Sequence, residues 1–167
     1  MNIEEYGSGP QLLRKAVAGM TREQLLARPI PGKWSTLEVV CHLADFEIVG
    51  ADRIKRVIAE DEPTLFGGDQ NQFAARLAYQ ERDIEEELVL IEVIRKQVAR
   101  ILRTLTPEDF QRHGIHREFG PLTLETFVQR STNHIPHHIP FIEEKRKAMG
   151  LAGKQQSSES CAIGPEP

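Results

Sequence analysis

A chain of 167 residues, 40% apolar and 28% charged, has the size and balance of one soluble domain that can bury a core without staples. Its net charge of −4, with acids and bases interleaved and no Lys/Arg block, argues against nucleic acid as a main partner. Cys41 in an apolar run and Cys161 in a polar tail make no disulfide framework and fit a reducing cytoplasm, while the acidic start Met1-Asn2-Ile3-Glu4-Glu5 and the lack of any long apolar run speak against a secretory signal or a membrane span.

Helical periodicity dominates from the start. Leu12, Leu13, Ala16 and Val17 mark an amphipathic first helix that Gly19 ends. Thr21 with Gln24 forms a capping box for a short helical turn, and Arg28-Pro29-Ile30-Pro31-Gly32 then breaks the chain. Ser35 with Glu38 is a second capping box. Behind it, Leu37, Val40, Cys41, Ala44, Ile48, Ala51, Ile54 and Val57 keep helical period to about Ala59. Trp34, just before the cap, is placed to staple against Val39.

After a loop through Gly67-Gly68-Asp69, the apolar marks Phe73, Leu77, Ile84, Leu88, Ile91, Ile94, Val98 and Leu102 predict one long helix over about 72–105. Its charged residues, among them Glu81, Asp83, Glu85, Glu86, Arg95, Lys96 and Arg100, read as a solvated face. Thr106-Pro107 opens a short helix, residues 113–121 form a loop in which His113 and His116 are solvated, and Thr123 caps a last helix that stops at Gly150. The Gly, Ser, Gln and Pro of the remainder predict disorder. The organisation is one all-α domain over 1–150, a four-helix bundle without strands, and a tail over 151–167.

Three of the six histidines fall within Asn133-His134-Ile135-Pro136-His137-His138. His134 and His138 stand four apart, so on a helix they share a face one turn apart, the spacing at which two imidazoles can hold one cation. His137 points about 100° away from His138 and is left out. His42, on the upstream helix among Val39, Leu43 and Ala44, is the candidate third donor. Each of these could instead be an ordinary hydrogen-bonded core or surface histidine, and without the zincin glutamate the pair alone does not decide. Burial among Ile135, Ile139 and Ile142 favours a partner for the rings, because a buried polar ring without one costs free energy. Pro136 and Pro140 bracket the pair and either kink the helix to aim both rings or simply bend or break it. Asp45, three residues after His42, can orient a ligand ring, carry a proton in catalysis, or be a surface acid.

Lys33-Trp34-Ser35 with Glu38, Cys41-His42-Leu43-Ala44-Asp45, Gly120-Pro121-Leu122-Thr123-Leu124 and His134-Ile135-Pro136-His137-His138-Ile139, in that order, resemble the DinB / YfiT-like superfamily over residues 12–147. The resemblance implies a four-helix bundle with a long crossover connection, often a homodimer. It also implies a divalent metal, zinc or nickel, held by His42, His134 and His138. It further implies a small-molecule substrate and either hydrolysis or S-transfer with a low-molecular-weight thiol as cosubstrate. A non-catalytic, metal-stabilised or interaction domain of a stress response is the alternative. The lack of an obvious fourth protein ligand favours the open, catalytic kind of site.

Overall fold

The computed structural model describes residues 2–151, so the disordered tail expected over 151–167 lies, but for Leu151, outside the described residues. Asn2 accepts from the amides of Glu4 and Glu5 and starts helix α1, Ile3–Val17. Both capping boxes form. Thr21 and Gln24 cap α2, Arg22–Leu26, and Ser35 and Glu38 cap α3, Thr36–Ala59. In the second box the Ser35 amide donates to the Glu38 carboxylate over 2.7 Å.

The single long helix expected over 72–105 is two helices, α4 (Gln70–Arg76) and α5 (Ile84–Leu102). Ala78 adopts a left-handed φ of 50°, which turns the chain and drives Tyr79 into the core at 1% exposure. Asp83 then takes the amides of Glu85 and Glu86 as the N-cap of α5. Arg22 holds the turn from outside through the carbonyls of Gln80 and Arg82. Periodicity continues in register across the break, which is why it read as one helix.

Two further expectations change. The loop of 113–121 is a hairpin of β2 (His113–His116) and β3 (Gly120–Thr123), and β1 (Thr64–Leu65) joins β2 in parallel. Gly114 allows this, since a Cβ there would stand 2.8 Å from Leu65 Cδ1 and 2.9 Å from Val57 Cγ2. His116 is accordingly buried, its Nδ1 accepting from the Glu118 amide, and only His113 is partly exposed. The helix expected at Thr106 is a 3-10 turn, Asp109–Gln111, and the capping runs backwards: Asp109 accepts from the amide of Thr106 over 2.8 Å. Thr123 caps α6, Leu124–Ala148, as expected, and α6 continues as one helix through Pro136 and Pro140.

α1 packs on α5 and α6, and α3 packs on the same two helices. α1 and α3 therefore occupy opposite corners of a four-helix bundle, and the chain must cross over to go from α5 to α6. No helix among the described residues is long and apolar enough to cross a membrane. Two apolar clusters fill the bundle: Leu13, Leu37, Val40, Leu43, Ile135 and Ile142 at one end, and Ile54, Val57, Val98, Leu124, Phe127 and Val128 at the other.

A charged network also crosses the bundle. Arg95, expected on a solvated face, is fully buried. Its guanidinium donates to Glu47 on α3 (2.9 Å), to the Tyr6 carbonyl on α1 (2.9 Å) and to the Ser131 carbonyl on α6 (2.6 Å). Tyr6 Oη donates to the other Glu47 oxygen over 3.0 Å. One side chain thus ties all four bundle helices together. Gly9 makes room for it, since a Cβ there would lie 2.2 Å from the guanidinium.

Candidate metal centre

The α3 capping box sets the register of that helix and puts His42 on its inner face at 3% exposure. On α6, His134 and His138 stack one turn apart with ring centroids 5.0 Å from each other. His42 completes a nearly equilateral triangle, 5.0 Å from the ring of His134 and 4.9 Å from that of His138. The Nε2 atoms of His42 and His134 are 3.1 Å apart, and one ring nitrogen from each of the three lies within 4.8 Å of the others. Zinc–imidazole bonds of 2.0–2.1 Å make a tetrahedral edge of about 3.3 Å, so the first pair is already at ligand spacing and the third ring offers a nitrogen within 4.8 Å of both.

Apolar burial dominates the electrostatics. It pushes the pKa of His42 down to about 4, of His134 to about 3 and of His138 to about 4, with the neighbouring imidazoles adding to the effect. All three rings are therefore neutral near pH 7, the form that ligates a cation. Phe46 packs on the His42 ring at 4.6 Å between centroids and Trp34 packs on it at 5.3 Å. Nδ1 of His42 and Nδ1 of His138 are buried without a hydrogen-bond partner. Three neutral imidazoles converging beside Phe46 and Trp34 suit a borderline-soft divalent cation, and with no fourth protein ligand in the group among the described residues they leave a coordination position open.

Asp45 does not orient these rings. Both of its oxygens lie 3.0 Å from Nη1 of Arg82, whose other nitrogens donate to Glu87. The carboxylate thereby fastens the α4–α5 turn to α3. His137 is exposed and meets His138 edge-on at 5.2 Å between centroids, apart from the three-ring cluster. Cys41, free and buried, packs in the core with its thiol toward the Tyr79 carbonyl.

A cavity of about 290 Å³ opens beside His138, lined by Lys33, Trp34, Val39, Phe141, Glu144 and Lys145 among others. Larger clefts of about 630 and 580 Å³ run along α1 and contain no histidine. The roles of Phe46 and Lys145 were not singled out from sequence. The signal was there in the spacing, four residues from His42 and seven from His138, both on the ligand faces.

The sequence model of the DinB superfamily matches residues 6–142. A protein of Oceanobacillus iheyensis named "putative metal-dependent hydrolase" is 32% identical over 147 residues, covering 87% of this chain and 85% of its own. A protein of the same name from Geobacillus thermodenitrificans is 33% identical, covering 84% and 80%. The solved structure of YfiT from Bacillus subtilis, described as a four-helix bundle of unusual topology, superposes with a TM-score of 0.83 at 30% identity, covering 89% of this chain and 85% of that one.

Proposed function

This chain belongs to the DinB superfamily, and we propose that His42, His134 and His138 hold a divalent cation, zinc or nickel, at the centre of a metal-dependent hydrolase acting on a small molecule. The observation that carries the reading is the convergence of three neutral imidazoles from two helices, His42 buried and His134 and His138 partly so, with no fourth protein ligand among the described residues. A cation held there would supply a Lewis acid with an open position, at which water ionises near neutral pH and a thiol ionises outright.

The residues divide the remaining work. The imidazoles leave the cation its full charge because none of them is anionic. Trp34 and Phe46 keep bulk water off the ligand rings. Ion pairing of Asp45 with Arg82 fastens the α4–α5 turn to α3, the helix that carries His42, and the proposal assigns Asp45 that positioning task in place of proton transfer. S-transfer with a low-molecular-weight thiol is the second reading. It is favoured by the lack of any carboxylate touching the three rings among the described residues, since a thiolate needs no general base. The buried free thiol of Cys41 supports a cytoplasmic setting, and the homodimer implied by resemblance belongs to the same proposal.

Elemental analysis of tag-free wild type beside His134→Ala tests the reading. About one equivalent of a single divalent metal, lost in the variant, supports it. No metal in the wild type after dialysis against zinc and against nickel overturns it.

A further inference from the structure

Lys145 is 2% exposed, yet it lines the cavity that His138 also lines. An ammonium carries three donors, and Nζ of Lys145 spends one on the Phe141 carbonyl, 2.9 Å away. No carboxylate among the described residues forms an ion pair with it. Two acids act on it through space, Glu144 more strongly than Glu38, and Glu38 is itself engaged by Arg28 and by the Ser35 amide. A buried ammonium with spare donors and no carboxylate within ion-pair distance is costly unless something anionic reaches it. Burial holds Lys145 below the usual lysine pKa even against the attraction of Glu144 and, more weakly, Glu38, with Lys33 acting in the same direction as burial.

The cavity's own composition narrows the ligand. Lys33 and Lys145 against Glu144 leave one excess positive charge, matching a singly charged group. Trp34, Val39 and Phe141 supply apolar wall to the same cavity. On α6 the seven positions from His138 to Lys145 place their Cα atoms about 10 Å apart along the helix axis.

We propose that Lys145, assisted by Lys33, is an anion anchor of the active-site cavity, and that the substrate or cosubstrate is a small carboxylic acid whose apolar middle lies on Trp34 and Phe141 while its reacting group reaches His138. The reacting end of this assignment rests on the metal reading, whereas the anion anchor does not.

Trp34, the only tryptophan, lies in the cavity wall and reports binding without any assay of turnover. The purified full-length chain is titrated with hexanoate and with hexanamide, following Trp34 emission, and metal content is measured on the same samples before and after chelation. Hexanoate should bind saturably and about tenfold or more tighter than hexanamide, the range for a hydrogen bond to a charged group. Lys145→Met should abolish that preference while its far-ultraviolet circular dichroism stays helical. Equal binding of acid and amide, no saturable binding of hexanoate, or a preference that survives Lys145→Met overturns the anchor. Should Lys145→Met fail to fold, Lys33→Gln is read instead: a reduced preference supports the anchor and an unchanged one overturns it. Because the preference is scored with and without metal, protein that binds hexanoate but no metal separates failure of the metal reading from failure of this one.

Discussion

The Nε2 atoms of His42 and His134 lie 3.1 Å apart across ninety-two positions of sequence. Both rings are neutral at pH 7, so one proton or one cation must stand between two lone pairs. The third ring, His138, lies within ligand range of the same point. That contact exists only because α3 and α6 are neighbours in the bundle.

The neutral rings set a pH dependence. Their folded pKa values, about 3 to 4, lie below the ordinary histidine value of about 6.5. The unfolded chain therefore binds more protons in that interval, and stability rises with pH across it. The metal-free protein should be fully stabilised by these groups above about pH 6.5 and should lose that stability as pH falls toward 3. Thermal melts of the chelated protein from pH 7 to pH 4 should show a falling Tm, with a shallower slope in His134→Ala. A flat profile would contradict the burial of these imidazoles.

Arg95 and Glu47 should be the most sensitive pair for stability. Each is 2% exposed or less at its side chain, and removing one strands the other's charge in the core. Glu47→Ala should cost about 3–5 kcal/mol. Urea unfolding of Glu47→Ala beside an Arg95→Met/Glu47→Leu double variant checks this, since the double variant removes both charges and should recover part of the loss.

Asp45→Asn separates positioning from proton transfer. It weakens a partly buried ion pair with Arg82 and leaves the three ligand rings in place. The expected outcome is a lower Tm with metal still at about one equivalent, measured by elemental analysis. Unchanged Tm together with lost turnover would instead return Asp45 to the chemistry.

Gly114→Ala should destabilise by about 1–3 kcal/mol through overpacking. The new methyl would meet Leu65, Val57 and the Pro63 carbonyl at 3.2 Å or less, and two of these belong to ordered elements that cannot retreat freely. Denaturant melts provide the check, with Gly7→Ala, where nothing stands within 4 Å, as the control.

The sequence by itself determined what acts over a few residues. The boxes at Thr21/Gln24 and Ser35/Glu38 and the cap at Thr123 were readable because a cap is a bond between a side chain and an amide two or three residues on. The shared face of His134 and His138 followed from the helical period. The break at Ala78 was partly legible, since Asp83 followed by Glu85 and Glu86 is an N-cap pattern, but continuous periodicity masked it. Only the tertiary structure decided the rest. It brought His42 to the α6 pair, took Arg95 inside to meet Glu47, buried His116 under the hairpin and drew Asp45 to Arg82. The physical reason is common to all four: whether a polar side chain faces water or the core depends on a partner supplied from another element, and local sequence carries no record of which elements will be neighbours.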